Sequence, residues 1–490
     1  MGREQKVEQE NKMTITILGL GPGNPAHLTL EAWQVLEEAD EVYLRTERHP
    51  TVASLPPHLS LHSFDHLYEE KADFAAVYEE IAARVLALGE RPQGVIYAVP
   101  GHPLVGEASV QRILVLAQER GLEVRIVEGL SFVEPVLTCL GLDAMEGLQL
   151  ADATELAALH HPPVNPDQPT LVGQLYGRHL ASSVKLTLMN LFPADHQVVL
   201  VHGAGTAEEK VTALPLYELD RSDGIDHLTT LYLPPLPEIS SLESFQDTIA
   251  HLRAPDGCPW DREQTHQSLR AALLEETYEV LTALDADDMD ALCEELGDLL
   301  LQILLHSQIA VEEGDFSLAQ VIEKINAKIK HRHPHVFGDV VVSSAAEVTT
   351  NWEEIKREEK GEAGGSMLKD VPPTLPALAQ AQSYQRRVAR VGFDWADVEG
   401  VVAKVAEEIE ELRGTSDAAE REEELGDLLF SLVNLARWLG VDAESALRAT
   451  NARFARRFAV MEDLCRQRGQ HLADLSLAEQ DALWEEVKKR

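Results

Sequence analysis

The run L-E-E-T-Y-E-V (residues 274–280) is followed by E-E-L-G-D-L-L (294–300), and the pair returns as A-E-E-I-E-E-L (406–412) and E-E-L-G-D-L-L (423–429). In both copies an E-E-x-x-E pattern precedes an E-x-x-D pattern, and apolar residues flank the acids at helical spacing. Side chains three or four positions apart lie on one face of an α-helix. Each copy therefore predicts two helices whose carboxylates lie beside an apolar stripe.

The acidic positions are candidate metal ligands. If the two helices of each copy pack antiparallel, their carboxylates converge, and charges are rarely buried unless they are paired or bind a metal. Clusters that offer only oxygen atoms suit Mg²⁺ or Mn²⁺. The alternative is a solvated acidic helix face, but the repetition favours a metal site. The predicted ligands are Glu276, Glu279, Glu295, Asp298, Glu408, Glu411, Glu424 and Asp427, and Glu275 and Glu407 are the candidate catalytic residues, which would orient ligands or water.

The repeat continues downstream. N-A-K at 326–328 with Arg332 matches N-A-R at 451–453 with Arg457, and W-E-E-I-K at 352–356 matches W-E-E-V-K at 484–488, which indicates an internal duplication. The basic pairs, spaced four residues apart, are candidates for phosphate contact or else form a basic surface. The tryptophans would stack on a base or anchor a helix. The predicted nucleotide-binding residues are Lys328, Arg332, Trp352, Arg453, Arg457 and Trp484.

Several motifs in order carry a family resemblance over residues 240–490. They are G-C-P-W-D (257–261), the two acidic sets, H-R-H-P-H-V-F (331–337) and V-G-F-D-W (391–395). This half resembles the MazG family of nucleoside triphosphate pyrophosphohydrolases. The resemblance implies an all-α fold, Mg²⁺-dependent cleavage of a nucleoside triphosphate to the monophosphate and pyrophosphate, and a homodimer. The runs 299–305 and 428–435 are more apolar than a single amphipathic stripe requires, so we expect the dimer contact in the helical modules, within residues 240–490.

The composition is strongly acidic. Lys and Arg number 42 against 83 Asp and Glu, which gives a net charge of −41. Clustered positive charge is what a phosphate backbone requires, so we expect no stable nucleic-acid binding and a cytoplasmic protein that handles a small ligand. No apolar run is long enough for a transmembrane helix, so no membrane association is expected. The scattered cysteines contain no C-x-x-C pair, which argues against a disulfide framework or a zinc site.

Residues 13–235 alternate short apolar runs with amphipathic segments, which is typical of an α/β domain. The first predicted strand runs into G-L-G-P-G at 19–23. A dinucleotide site would require an acid at the end of the second strand, where this chain has L-R-T at 44–46, so an NAD site is disfavoured. The predicted strands cover 15–20, 41–44, 95–99, 122–127, 171–172, 198–202 and 228–233, and the predicted helices include 28–38, 74–88 and 109–120.

Two further loops, P-G-H-P at 100–103 and E-G-L-S at 128–131, also lie between a predicted strand and a helix. Together with the first loop they resemble the tetrapyrrole methylase family, whose folds bind S-adenosylmethionine. The family's commoner G-D-P loop is P-G-H-P here, so a ligand-binding regulatory module without methyl transfer remains the alternative. His102 would be a base, a cofactor contact or simply a capping residue. The resemblance implies cofactor contacts at Gly19, Gly21, Gly23, Pro100, Gly101, His102, Gly129 and Ser131.

The sequence therefore predicts a multidomain protein, with an N-terminal α/β domain followed by two all-α helical modules. P-P-L-P at 234–237 reads as the connection between them, and the charged, glycine-containing stretch 358–365 separates the modules. The predicted segments are a polar leader at 1–12, the tetrapyrrole methylase-like domain at 13–235, and the helical modules at 240–360 and 366–490.

Overall fold

The computed structural model describes residues 14–71, 73–359 and 366–489, so the leader predicted at 1–12 and most of the 358–365 connection lie outside the described residues. The strands are β1 Thr14–Gly19, β2 Glu41–Leu44, β3 Ser60–Ser63, β4 Val95–Val99, β5 Glu123–Val127, β6 Gln149–Asp152, β7 Thr170–Gly173, β8 Gln197–His202, β9 Lys210–Pro215 and β10 Thr229–Leu233. The chain divides into two compact units between Arg262 and Glu263.

The helices of the first unit are α1 Leu30–Glu38, α2 Leu67–Glu70, α3 Phe74–Gly89, α4 Ala108–Arg120, α5 Val133–Leu140, α6 Ala153–Ala158, α7 Arg178–Leu188, α8 Leu242–Arg253 and α9 Pro259–Arg262. The helices of the second unit are α10 Arg270–Ala286, α11 Met289–Glu313, α12 Leu318–Arg332, α13 Pro334–Phe337, α14 Ala345–Glu359, α15 Ala377–Ala389, α16 Val398–Gly414, α17 Ala418–Trp438, α18 Ala443–Gln467 and α19 Leu477–Lys488. No helix among the described residues is long and apolar enough to cross a bilayer.

The first sheet of the first unit is entirely parallel, in the order β3-β2-β4-β1-β5. Its central strands are apolar on both faces because helices cover both. Ile15 and Ile17 pack with α3 and α4, whereas Leu18 packs with α1. The carboxyl ends of parallel strands meet at one edge of a sheet, so β1, β4 and β5 deliver their following loops to the same place.

The second sheet is mixed, in the order β6-β7-β10-β8-β9, with only β6 and β7 parallel. Its core includes Val172, Leu200 and Leu231 from the strands and Val184 and Leu188 from α7. Each strand predicted from the sequence coincides with an observed strand. The predicted helix at 28–38 begins later, at Leu30, because the Thr29 side chain caps it by accepting a hydrogen bond from the backbone of Ala32.

Helix α8 belongs to the first unit, although the sequence assigned it to the helical region. The Asp167 carboxylate accepts hydrogen bonds from the Ser240 backbone at 2.7 Å and from the hydroxyls of Ser241 and Ser244 at 2.6 Å each. These bonds fasten the start of α8 to the loop before β7. The compact division therefore falls after Arg262 and not at the predicted connection, 234–237.

Across its described residues, 263–359 and 366–489, the second unit contains helices and no strand. Its two long hairpins, α10–α11 and α16–α17, are each joined by a short connection, as in an antiparallel helix pair. Gln385 on α15 donates to the Phe430 carbonyl on α17, and an ion pair of 2.6 Å between Arg448 and Asp285 joins α18 to α10. The predicted fold class, an α/β region followed by a helical region, is confirmed.

Candidate metal centres and ligand-binding loops

The first acidic cluster is formed by α10 and α11. Glu276, Glu295 and Asp298 each offer a carboxylate oxygen, and these atoms all lie within 4.8 Å of one another. Asp288 begins α11 by accepting a hydrogen bond from the Ala291 backbone, which places Glu295 and Asp298 two turns into the helix, opposite α10. The three carboxylates are half-buried and face each other across the hairpin.

The neighbouring carboxylates of this cluster disfavour one another's ionised form. Burial raises the pKa of Glu276, and Glu279 and Asp298 raise it further. Burial and then Glu279 likewise raise the pKa of Glu295. Glu275, which is exposed, adds to the repulsion at Glu276. Carboxylates that disfavour one another's ionised form are stabilised by a divalent cation, and the oxygen-only donor set fits Mg²⁺ or Mn²⁺.

The second acidic cluster repeats the first on α16 and α17. Glu408, Glu424 and Asp427 also bring their oxygens within 4.8 Å. Asp417 caps the start of α17, as Asp288 caps α11. Burial raises the pKa of Glu424, and Glu411 and Glu408 raise it further. In each copy the structure therefore brings together three of the four predicted ligands, and Glu279 and Glu411 are not among the converging oxygens. Metal binding by either set stays a prediction.

A lysine distinguishes the second cluster. The Lys404 ammonium lies 2.9 Å from the Glu408 carboxylate and 3.0 Å from that of Glu407. Hydrogen bonds to Glu408 and then Glu407 raise the pKa of Lys404 above its ordinary value. The equivalent position in the first copy, four residues before Glu276, is Ala272. The sequence analysis missed Lys404, although its spacing of four residues from Glu408 is the signal that would have found it.

The predicted nucleotide-binding residues of the first copy lie together on α12 and α14. The Arg332 guanidinium hydrogen-bonds to the Glu359 carboxylate at 3.1 Å and lies 5.3 Å from the centre of the Trp352 ring. Lys356 lies over the same ring at 5.0 Å. Arg332, and more weakly Lys328, lower the pKa of Glu359. Arg332 is therefore held by Glu359 and Trp352 in this structure.

The second copy places its counterparts differently. The ring of Trp484 is 5.2 Å from that of Phe454 and packs against the core formed by α18 and α19. Arg453 is exposed and hydrogen-bonds to the Thr450 hydroxyl, whereas Arg457 is half-buried. Trp484 thus anchors the last helix, which is the second of the two roles considered for it. Its contact with a base stays a prediction.

The three glycine-containing loops of the first unit meet at the ends of β1, β4 and β5. A Cβ on Gly19 would lie 2.6 Å from the Gly101 carbonyl oxygen and 2.8 Å from the Gly129 nitrogen, so no larger residue fits there. Gly21 and Gly101 form a β-bridge, with the Gly101 nitrogen donating to the Gly21 carbonyl at 2.8 Å. The backbone can therefore approach a ligand closely at this edge of the sheet.

The other predicted cofactor contacts are partly engaged with the chain itself. The His102 ring accepts a hydrogen bond from the Leu104 backbone at 3.0 Å, within the loop that precedes α4. The buried Ser131 hydroxyl donates to Glu134 at 2.7 Å. Gly23 faces Thr206 and Pro50. Pro100 is half-buried before Gly101. Contact of these residues with a cofactor stays a prediction.

Comparisons with known proteins agree with this division. The family model of the tetrapyrrole (corrin/porphyrin) methylases matches residues 14–220. The family model of the MazG nucleotide pyrophosphohydrolase domain matches residues 264–337. The uncharacterized protein YabN of Bacillus subtilis (strain 168) is 42% identical over 489 residues, covering 97% of this chain and 98% of YabN.

Two other relatives match about half of the chain. The nucleoside triphosphate pyrophosphohydrolase/pyrophosphatase MazG of Thermotoga maritima is 46% identical over 246 residues, or 50% of this chain and 95% of that protein. The nucleoside triphosphate pyrophosphohydrolase of Escherichia coli (strain K12) is 44% identical over 259 residues, or 51% of this chain and 98% of that protein. Both predicted resemblances are confirmed: the chain belongs to the MazG family, in the form in which a tetrapyrrole methylase domain is joined to the MazG region.

Proposed function

We propose that the chain is a Mg²⁺-dependent nucleoside triphosphate pyrophosphohydrolase that releases the nucleoside monophosphate and pyrophosphate. The observation that carries the proposal is the pair of carboxylate clusters, each with three oxygens within 4.8 Å, on matching helix hairpins. The relatives from Thermotoga maritima and Escherichia coli bear the name of this activity. Each predicted helical module, 240–360 and 366–490, would carry one site.

The cluster residues would hold the cation, with Glu279 and Glu411 beside the three converging carboxylates of each site. A bound divalent ion supplies charge neutralisation for the triphosphate and lowers the pKa of water. Glu275 and Glu407 each precede a cluster residue and are exposed, so they would orient the attacking water. Water attack at the α-phosphorus breaks its bond to the bridging oxygen, which leaves with pyrophosphate.

The basic residues and tryptophans of α12, α14, α18 and α19 are proposed to contact the phosphates and the base. In the first copy, a triphosphate would compete with Glu359 for Arg332, because both are oxyanions suited to the guanidinium fork. Arg453 is exposed and hydrogen-bonds to the Thr450 hydroxyl, so a phosphate would compete there with an uncharged partner. These roles rest on position and charge.

The products test the proposal. The full chain is incubated with each common nucleoside triphosphate and Mg²⁺, and the products are separated by ion exchange. Monophosphate and pyrophosphate in equal amounts, lost on chelation of the metal, are expected. A diphosphate and orthophosphate as first products would contradict it, because they require attack at the γ-phosphorus.

We further propose that a second copy of the chain covers the exposed apolar faces of the helical unit. Leu296, Leu300 and Ile303 form a stripe along α11 with 49%, 36% and 42% of each side chain exposed, and Leu425 and Leu429 on α17 are similarly exposed. Contiguous apolar patches of this kind mark association surfaces. Light scattering should report twice the 54.1 kDa chain mass. Leu300→Glu should reduce this mass, whereas Val115→Glu, at an exposed position of α4, should not.

For the first unit, we propose that it binds S-adenosylmethionine or its demethylated product. The convergence of Gly19, Gly101 and Gly129 supports this, because a small ligand can lie against bare backbone there. Titration calorimetry of the full chain with S-adenosylhomocysteine should give saturable heat. No heat at millimolar ligand would contradict the proposal. Binding without methyl transfer would favour the regulatory alternative.

A further inference from the structure

The end of α14 places a carboxylate among basic side chains of α12. Both oxygens of Glu359 accept hydrogen bonds from the Arg332 guanidinium, whose Nε lies 3.2 Å from Oε1 and 3.1 Å from Oε2 and whose Nη2 lies 2.5 Å from Oε2. The His331 Nε2 atom lies 4.0 Å from Oε1 of the same carboxylate. Only 14% of the Arg332 side chain and 26% of the Glu359 side chain are exposed, so the pair is partly withdrawn from water.

Three basic side chains act on the Glu359 carboxylate. The hydrogen bonds from Arg332 lower the pKa of Glu359 most, although burial opposes the shift. The charges of Arg332, His331 and Lys328 lower this pKa further. Opposite charges and hydrogen bonds to the charged form both favour ionisation of a carboxyl group. Glu359 is therefore an anion at neutral pH, in surroundings that suit any oxyanion.

An aromatic ring also holds the Arg332 guanidinium. The central guanidinium carbon lies 5.3 Å from the centre of the Trp352 ring, and the Lys356 ammonium lies 5.0 Å from the same centre. Cations over an aromatic face are attracted by the ring quadrupole. A guanidinium held in this way presents its fork in one orientation, which favours bidentate recognition of a carboxylate or a phosphate. The basic end of α12 is therefore an oxyanion site, and Glu359 fills it.

The corresponding basic residues of the second copy, Arg453 and Arg457, have different neighbours. Within the part of the chain that the structure describes, neither arginine forms an ion pair with an acid. Glu485 on α19 pairs with Lys488 at 2.6 Å, and Lys488 lowers the pKa of Glu485 more than Arg457 does. An acid that fills the basic site, as Glu359 does, is thus a feature of the first copy.

We propose that Glu359 is a built-in competitor of the nucleotide phosphates at the first copy, so that substrate binds there by displacing the carboxylate from Arg332. This role rests on the function proposed above, in which Lys328 and Arg332 contact the phosphates. Because the site accepts phosphate only in the fraction of molecules whose Arg332 is released, its apparent affinity is reduced by that fraction. The second copy then saturates at lower substrate concentration, and the first contributes when substrate accumulates.

An ion pair that only positions Arg332 makes the opposite prediction. If Glu359 held the guanidinium ready for phosphate, removing Glu359 would release the side chain and weaken phosphate binding. If Glu359 competes, removing it frees the fork while Trp352 still supports the guanidinium, so phosphate binding tightens. The sign of the change therefore decides between the two roles.

Inorganic tripolyphosphate is the probe, because it carries the phosphates of the substrate without a base or a sugar. Its binding to the full chain is measured by titration calorimetry in a metal chelator, with Arg453→Gln and Arg457→Gln present so that the first copy supplies the basic residues. Glu359→Gln should tighten binding by about fivefold, the scale of a partly exposed ion pair. Glu354→Gln removes the same charge at an exposed position of the same helix and should change binding by less than about twofold.

Two further variants identify the contact. Arg332→Gln added to Glu359→Gln should abolish the gain, because the freed fork is lost. Glu359→Asp keeps the charge but shortens the side chain by a methylene group, so binding should tighten less than in Glu359→Gln. Unchanged or weaker tripolyphosphate binding in Glu359→Gln would overturn the proposal, and so would a gain that survives the loss of Arg332.

Hydrolysis separates the competitor role from the function on which it rests. With Glu408→Gln and Glu424→Gln disabling the second cluster, Glu359→Gln should lower KM for a nucleoside triphosphate by about fivefold and change kcat by less than about twofold. If no variant hydrolyses while Glu359→Gln still tightens tripolyphosphate binding, the proposed function fails and the competitor role stands. If hydrolysis is normal but neither binding nor KM responds to Glu359→Gln, the competitor role alone is wrong.

Discussion

The two acidic clusters are built on matching helix hairpins, and they differ in a neighbouring positive charge. Each brings three carboxylates within 4.8 Å on a capped helix hairpin. In the second cluster, Lys404 contacts Glu407 and Glu408, whereas the matching position of the first is Ala272. Burial and then neighbouring carboxylates raise the pKa of Glu276 and Glu295 in the first cluster and of Glu424 in the second. The second cluster therefore has an ammonium beside it where the first has the methyl group of Ala272.

This difference predicts how each site would respond to a metal. A divalent ion at the second cluster must displace the Lys404 ammonium from Glu408, which costs an ion pair. Once displaced, the flexible lysine would be available to a phosphate oxygen. At the first cluster a metal meets only repelling carboxylates. We expect the first cluster to bind metal more tightly than the second. At the second cluster we expect Lys404 to move from Glu408 to a phosphate oxygen.

The largest effect is expected from removing the carboxylates copy by copy. Glu276→Gln with Glu295→Gln should disable the first site, and Glu408→Gln with Glu424→Gln the second. The fourfold variant should lose activity by about a hundredfold or more, because a metal is worth several kcal/mol of barrier. Steady-state hydrolysis with Mg²⁺ measures this. Equal activity in both double variants would show that the lysine difference has no catalytic consequence.

The two tryptophans offer a comparison in stability. Trp484 packs on Phe454 and an apolar core, so Trp484→Ala should lower the free energy of unfolding by about 2 kcal/mol. This loss is smaller than for a fully buried tryptophan, because Trp484 is half-buried. Trp352 mainly meets the cations of Arg332 and Lys356, so Trp352→Ala should cost about 1 kcal/mol or less. Denaturant unfolding distinguishes them, and a larger loss from Trp352→Ala would refute the assignment of Trp484 as the anchor.

Exchanging the lysine sharpens the comparison directly. Lys404→Met should tighten metal binding at the second cluster by about two- to fivefold, since partly exposed ion pairs contribute about 1 kcal/mol or less. Ala272→Lys is the reciprocal change and should weaken binding at the first cluster. Mn²⁺ titration of each variant, in a background that lacks the other cluster, measures both. Changes of the same sign in the two variants would contradict the competition between lysine and metal.

The smallest effect concerns pH in the absence of metal. An acid whose pKa is raised in the folded state contributes stability at pH values below its ordinary pKa, and this contribution is lost as pH rises through the raised value. Lowering the pH through the raised pKa values of Glu276 and Glu295 toward their ordinary value of 4.5 should therefore favour the folded helical unit. Thermal denaturation in chelator should show a smaller gain for Glu276→Gln with Glu295→Gln. An unchanged gain would show that the repulsion is relieved in some other way.

Much of the architecture follows from local patterns. The spacing of Glu295 and Asp298 predicted one helix face, and the helix hairpin brought that face to Glu276. The loops at Gly19, Gly101 and Gly129 met because parallel strands end at one edge of the sheet. In both cases regular geometry converts sequence spacing into spatial proximity.

Features that depend on contacts between distant segments were not predicted. The Arg45–Glu107 pair joins the end of β2 to the start of α4, and no periodicity relates the two positions. The edge strands β3, β6 and β9 were also not predicted, because at most one residue of each is buried and their apolar pattern is weak. Arg332 was predicted to contact phosphate, but its partner Glu359 lies at the end of another helix and was invisible to spacing arguments.

The most direct test of the central claim is to count the metal ions held by the two clusters. Mn²⁺ is titrated into the full chain and free ion is followed by electron paramagnetic resonance. We predict that each double glutamine variant loses one class of bound Mn²⁺, with the tighter class lost from Glu276→Gln with Glu295→Gln, and that the fourfold variant loses both together with hydrolysis. A folded fourfold variant that still binds Mn²⁺ and hydrolyses nucleoside triphosphates at the wild-type rate would contradict the account.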